Sequence, residues 1–254
     1  MRVRTVAIFI AVVLLTAGAA LLWPRGDQNV QASPTTTTTT TAPTPTMAPP
    51  PEHAFEAADA IVPEVHVYES PTATEPYDAL ANPTVEDVPL AFLVKQHGPP
   101  GWLLVQLQRR PNESTAWIHA DEVSLRPLDN RIVVQLSTHL LTVYKGLTDQ
   151  VLFQAPVAVG APRTPTPLGH FFIDVVVKLA HPSGAYGPYQ LSVAGFSNVL
   201  QSFGGGPGQI AIHGTNHPEL IGGDVSNGCI RMRNEDITAL QPMAPVGTPV
   251  EVVA

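Results

Sequence analysis

The sequence predicts a mainly β protein with two folded segments and one short helix. Three observations carry that prediction. Between Ala60 and Leu128 short apolar runs recur about every ten residues and are broken by Pro, Gly and Asn, the punctuation of short strands. From Arg131 onward apolar and polar residues alternate with the period of strands that bury one face. Only the stretch from Asn234 carries a helix-start signal, with Asn234 as a cap, Glu235 and Asp236 in the first turn, and Ile237 and Leu240 on one face.

In chain order, Arg2 and Arg4 precede an apolar run from Val6 to Trp23, about the minimum length of a membrane-spanning helix. Residues 1–23 are therefore read as an export signal, either an anchor or a cleaved peptide. The length of the run favours the anchor, although Val30-Gln31-Ala32 offers small residues for cleavage. The two arginines hold the N-terminus in the cytoplasm and place the rest outside, in the cell envelope. Residues 24–58 form a linker whose stretch PTTTTTTTAPTPTMAPPP has no apolar periodicity with which to offset the entropy of ordering.

Residues 59–128 carry the runs Val65-His66-Val67-Tyr68, Leu90 to Val94, Trp102 to Leu107 and Ala116 to His119, which suit a small β-barrel. Trp102 and Trp117 are read first as its core aromatics, with a ligand-stacking surface as the alternative. Residues 129–254 form the second segment. Ile132–Leu136, Leu140–Tyr144 and Val151–Val159 predict an antiparallel meander, and His170–Val177 a further strand. Gly160 to Gly169 is a stiff loop, and Ala180 to Gln190 a surface loop suited to a lid. Pro249 to Val253 reads as an edge strand, with its proline where no ladder donor is needed.

Composition removes several functions. One cysteine in 254 residues allows no intramolecular disulfide and no cysteine-rich zinc site. A net charge of −8, with the excess acid in residues 26–128, argues against nucleic acid as a partner.

The chemistry is concentrated in Ile212 to Met232, IHGTNHPELIGGDVSNGCIRM. His213 closes one apolar run and Cys229 opens another, so the two can face each other across a sheet edge. A thiol at its ordinary pKa is mostly protonated at neutral pH and needs a neighbouring imidazole to become a nucleophile. Gly228 lets the backbone turn so that amide N–H groups converge on an oxyanion, and the carbonyl of Gly214 is the acceptor expected to orient the imidazole. Arg231 is a candidate for a substrate carboxylate or for bracing the loop beneath Cys229. Tyr186 and Tyr189 are candidates for substrate contact or loop packing. His213 and His217 do not make a metal pair, because Gly214, Thr215, Asn216 and Pro218 oppose the helix such a pair needs.

At these residues a family resemblance becomes specific. His213-Gly214-Thr215 and Ser226-Asn227-Gly228-Cys229-Ile230-Arg231-Met232 resemble the signature of YkuD-type L,D-transpeptidases, with Thr166-Pro167-Leu168-Gly169 and Gly187-Pro188-Tyr189 as further points of similarity. Asn227 stands where many members have histidine. The Gly101-Trp102 and Ala116-Trp117-Ile118 pieces resemble bacterial SH3-like modules of cell-wall enzymes. The resemblance implies a β-sandwich catalytic domain with Cys229 as nucleophile, His213 as general base, and substrate contacts drawn from Ser226, Asn227, Arg231 and Tyr189. It implies no metal or organic cofactor, peptidoglycan stem peptides as substrate, and acylation by carbapenems. The implied reaction forms 3→3 cross-links through a thioester with release of D-Ala. L,D-carboxypeptidase action and a noncatalytic wall-binding anchor are the alternatives. Papain-like peptidases place cysteine before histidine, and sortases have threonine just before the cysteine, so both fit less well.

Overall fold

The computed structural model describes residues 53–254, which fall within one compact unit. The export signal and nearly all of the linker lie outside the described residues. No helix among the described residues is long and apolar enough to cross a membrane.

The first segment contains β1 (Phe55–Ala60), β2 (Glu64–Val67), β3 (Asp78–Ala81), β4 (Ala91–His97), β5 (Trp102–Gln106), β6 (Thr115–His119) and β7 (Val123–Leu128). Five of them form an antiparallel sheet in the order β6-β5-β4-β1-β7, and β2 and β3 make a hairpin tied to β6 by the Tyr68–Trp117 bridge. Alternating residues face a core of Val65, Val67, Phe92, Leu103, Val105 and Ile118. Both tryptophans are half-buried at its margin. Trp102 lies against His119 with ring centroids 4.0 Å apart, and the Trp117 ring fills the space beside Gly98.

The second segment contains β8 (Asn130–Gln135), β9 (Leu140–Lys145), β10 (Val151–Pro156), β11 (Val159–Gly160), β12 (Gly169–Lys178), β13 (Tyr189–Phe196), β14 (Gln209–His213), β15 (Asp224–Ser226), β16 (Ile230–Arg231), α1 (Asn234–Leu240) and β17 (Pro249–Val253). The predicted meander is β8-β9-β10, and the sheet continues as β10-β9-β8-β17-β12-β13-β14-β16. Its two ends meet. Just beyond β10, Ala158 exchanges both backbone hydrogen bonds with Arg231 of β16, at 2.9 and 2.8 Å. Eight twisted strands thereby curl around one core that includes Ile132, Leu141, Phe171, Leu191, Ile212 and Val250, with Ile237 and Leu240 of α1 in it too.

Two expectations are corrected. Pro249 to Val253 is not an edge strand. It lies mid-sheet, parallel to β8 and antiparallel to β12. Beside Pro249 the ladder to β12 is carried by Thr248 O, which accepts from Ile173 N at 2.9 Å. Asn234 is not the helix cap either: Arg233 occupies that position in extended conformation, and the Asn234 side chain is used elsewhere.

β12 is buried on both faces. Phe171 and Ile173 point into the sheet core, whereas Phe172 joins Ala57, Leu93, Leu128 and Ala194 in a second cluster shared by the two segments. Gly247, at φ +91°, brings the backbone against Ala57, where an added Cβ would stand 2.6 Å from that methyl. Gln106, 1% exposed, donates to His170 O at 2.7 Å across the same seam. A seam this apolar couples the folding of its sides. Residues 53–254 should therefore unfold in one calorimetric transition, and Phe172→Ala should cost about 3–5 kcal/mol and lower that single transition. Two resolved transitions, with only one moved by the substitution, would contradict the shared seam.

Candidate active site

The turn that presents Cys229 is built from side chains the sequence places close by. Ser226 Oγ accepts from the Gly228 N–H at 3.0 Å and donates to the Cys229 carbonyl at 2.5 Å. Gly228 sits at φ +112°, a conformation that strains any residue with a Cβ. The stiff loop from Gly160 braces the turn from below. Thr166 Oγ1 donates to Gly228 O and accepts from Gly160 N, both at 2.9 Å, and Thr164 Oγ1 donates to Ser226 O at 3.0 Å. This changes two assignments. Ser226, 1% exposed, is consumed within the turn and is not free for substrate. The Gly228 N–H is spent on Ser226 and does not point to an oxyanion. Among the described residues the Cys229 N–H has no protein acceptor.

His213 ends β14, between Gln190 of β13 and Arg231 of β16. Its Nδ1 lies 2.6 Å from Gly214 O, which leaves Nε2 as the lone-pair nitrogen once Nδ1 carries the proton. Only 3% of the residue is exposed. Burial pushes its pKa down to about 4, against the Gly214 hydrogen bond, and the Arg231 charge adds to the lowering. Burial pushes the Cys229 thiol up, opposed by an Ala211 backbone hydrogen bond and by Arg231. At neutral pH the resting pair is thiol and neutral imidazole.

Cys229, His213, Asn227 and Arg231 line one pocket of about 90 Å³ with Ala185, Tyr186 and Phe203. Asn227 is exposed at its edge. Nε of Arg231 is buried without a partner among the described residues. The aromatic ring at the site is that of Tyr186, 4.6 Å from the His213 ring. Tyr189 instead packs against the sheet core, and its carbonyl accepts from Gly214 N at 3.3 Å. One position along a strand reverses the face a side chain occupies, and Tyr189 has already entered β13. His217 is exposed and bonded to Glu219 at 2.9 Å. Among the described residues no three His, Cys, Asp or Glu side chains converge as a metal site.

Two positioning groups escaped sequence reasoning. Asn234 Oδ1 accepts from Thr215 N at 2.9 Å and its Nδ2 donates to Pro182 O at 3.2 Å, joining the turn after His213 to the loop that carries Tyr186. Glycine is required there, since a Cβ on Gly214 would lie 2.4 Å from Asn234 Oδ1 and 2.8 Å from Gly187 Cα. Arg110, from the first segment, donates to the carbonyls of Ser197, Leu200 and Pro207 at 2.8, 3.0 and 3.1 Å. It clamps the base of the loop whose Phe203 lines the Cys229 pocket. Asn112 adds a reciprocal pair with the Phe196 backbone at 2.8 and 2.9 Å. The adjacent Arg109-Arg110-Pro111-Asn112 gave no local signal, because every one of Arg110's acceptors lies more than 80 residues away.

Residues 129–252 match the family model described as the L,D-transpeptidase catalytic domain. A Bacillus licheniformis protein that carries the name L,D-transpeptidase YkuD is 39% identical over 122 residues, which are 48% of this chain and 64% of that one. The Bacillus subtilis protein of the same name is 38% identical over 121 residues, with the same coverage. The chain thus spans just under two thirds of the length of these two relatives. A Bacillus subtilis protein named L,D-transpeptidase YqjB is 36% identical over 129 residues, 48% of this chain and 70% of the relative. Among solved structures, L,D-transpeptidase 3 from Mycobacterium tuberculosis in complex with a faropenem-derived adduct aligns at TM-score 0.42 and 15% identity. That alignment covers 65% of this chain and 91% of the other. A likeness at that level sets no residue roles. With the family's catalytic model lying over both His213 and Cys229, and a relative matched over more than two thirds of its length, the chain belongs to the YkuD-type L,D-transpeptidase family.

Proposed function

We propose that the protein is a cysteine-dependent L,D-transpeptidase that forms 3→3 cross-links between peptidoglycan stem peptides in the cell envelope. The observation that carries this reading is the single pocket shared by the Cys229 thiol and a buried, neutral His213 whose Nδ1 is engaged by Gly214. In the first half-reaction Sγ attacks the carbonyl between the third, diamino residue of a donor tetrapeptide and its terminal D-Ala, while His213 Nε2 takes the thiol proton. The carbonyl oxygen becomes an oxyanion held by the unspent Cys229 N–H. Collapse breaks the C–N bond, D-Ala leaves with the proton from His213, and a thioester remains. The side-chain amine of a second stem peptide then attacks the thioester. His213 takes its proton and returns it to sulfur as the C–S bond breaks, so the thiol is regenerated and one amide has been exchanged for another.

Arg231 adds positive charge beside both reacting groups. It lowers the cost of the thiolate and keeps the imidazole unprotonated. Asn234 and Arg110 act through the loops they hold and are positioning residues. Water in place of the second amine would make the same site an L,D-carboxypeptidase.

The decisive experiment incubates the full chain with a stem tetrapeptide and follows products by mass spectrometry. Release of D-Ala with a cross-linked dimer supports transpeptidation. Tripeptide alone replaces it with the carboxypeptidase reading, and no turnover together with no carbapenem adduct removes the enzyme reading. Cys229→Ala should abolish D-Ala release, and His213→Gln should slow it by about 10²–10⁴-fold. A noncatalytic wall anchor would keep wall binding in the cysteine variant and show no release in the parent.

The pH profile follows from burial. Protonation of His213 removes the base, and because its pKa sits at about 4 instead of 6.5, carbapenem acylation should persist to about pH 5 and fall only near 4. Alkylation by iodoacetamide should rise with pH through the thiol range with no acid plateau, since no thiolate–imidazolium pair is stored at rest. An acid limb near 6.5, or a fast alkylation plateau at pH 5, would contradict the neutral pair. Arg110→Gln should lower kcat/KM about tenfold through the Phe203 loop, with iodoacetamide still reaching Cys229. Unchanged kcat/KM would sever the clamp from the site.

A further inference from the structure

A pocket of about 90 Å³ holds a reacting carbonyl and a few neighbouring atoms, so most of both peptides in the proposed reaction must lie outside it. A much larger cleft, about 730 Å³, opens between the two segments. One wall comes from β3, from the stretch around Glu86 and from Arg109. The other is the face of β12, β13 and β14 that carries Val175, Val177, Gln190 and Ser192.

The sheet register connects this cleft to the catalytic pocket. Val177 pairs with Gln190, and Gln190 pairs with His213. The next row on the same side is Val175, Ser192 and Ala211, and Ala211 is the backbone neighbour of the Cys229 thiol. Side chains of directly paired residues project to one side of a sheet. Leu191 and Ile212, paired with each other, therefore face the opposite side, where both are fully buried in the core. The floor of the cleft and the imidazole of His213 thus lie on the same side of the sheet, one strand apart, with Gln190 between them.

Two residues that line the cleft each carry a polar atom that the fold leaves unused. Arg109 is fixed by its Nη1 hydrogen bond to Asp78 at 2.8 Å and lies over the Tyr77 ring at 5.8 Å, yet its Nη2 is buried without an acceptor. Asp174, 5% exposed, receives Gln209 Nε2 on Oδ2 at 2.6 Å, while Oδ1 is buried without a donor. Leaving such groups unpaired is unfavourable, and more so for charged ones. An unused guanidinium N–H calls for a carboxylate, and an unused carboxylate oxygen calls for an N–H. A short peptide with free carboxylates and an amine supplies both.

We infer that this cleft is the subsite for the acceptor stem peptide, with Arg109 taking one of its carboxylates and Asp174 one of its N–H groups, so that the attacking amine reaches Cys229 past Gln190. The inference rests on the transpeptidase reading and adds which surface holds the second substrate. It makes the first segment part of the substrate site.

The thioester offers an internal test, because water and acceptor compete for it. With the full chain, a saturating, isotopically labelled donor tetrapeptide and a subsaturating, unlabelled acceptor tripeptide, the ratio of mixed cross-linked dimer to labelled tripeptide is read by mass spectrometry. Arg109→Gln and Asp174→Asn should each lower that ratio about tenfold, and Arg109→Lys should recover part of the loss. A change confined to protein stability lowers total turnover and leaves the ratio unmoved, which would overturn the inference. So would an unchanged ratio with a raised KM for the donor, which would place the donor in the cleft. Independently of any cleft substitution, an acceptor tripeptide bearing a diazirine is photolysed on the Cys229→Ala chain. Labelling of residues 79–90, 107–109, 174–177 or 190–192 supports the subsite, and labelling only elsewhere overturns it. If the parent chain releases no D-Ala the transpeptidase reading has failed on its own, and the photolabel still decides whether the cleft binds the peptide.

Discussion

The site depends on one hydroxyl. Ser226 Oγ joins the Gly228 N–H to the Cys229 carbonyl, and this holds a left-handed glycine turn between two short strands at the edge where the sheet closes on itself. β15 and β16 are each no longer than three residues, so the turn between them has little ladder of its own to hold it. The thiol is then located by three independent constraints: this turn, the Thr166 brace beneath it, and the double hydrogen bond between Ala158 and Arg231. In the role we propose for it, a thiol held in this way loses little further freedom on reacting, which is how geometry is converted into rate.

The same closure sets the electrostatics. The sheet curls tightly enough to bury His213 and to leave Cys229 half-buried, and desolvation disfavours their charged forms in opposite senses, raising the thiol and lowering the imidazole. In the reaction we propose, the cost of separating charge is deferred until the oxyanion forms, when it can be offset by Arg231 and the Cys229 N–H. A pair ionised at rest would place its stabilisation in the ground state, where it gives no rate advantage.

Much of this was legible in the sequence, and the boundary has a physical basis. Strand alternation, the histidine, the cysteine and the stiff loop are local signals, readable within a dozen residues. The meander of β8, β9 and β10 followed from them because its neighbours in sequence are its neighbours in space. What escaped was nonlocal pairing. Nothing within Pro249 to Val253 shows that it will be flanked on both sides, and Asn234 beside two acids reads as a cap until the turn at Thr215 arrives to claim its side chain. Tyr186 and Tyr189 look equivalent in a glycine-rich segment, and the onset of β13 between them decides which one meets the imidazole. Arg110 was invisible for the same reason.

The central place of β17 bears on the order in which the molecule can be assembled. β17 supplies the bond ladder between β8, which opens the second segment, and β12, so it separates an early-made meander from a later-made half-sheet. A chain that emerges from residue 1 onward can form its first module and its meander as they appear. It cannot complete the ladder between β8 and β12 until residues 249–253 are in place. His213 and Cys229 belong to the later half, so the surroundings of the thiol are completed only once β17 has taken its place between β8 and β12.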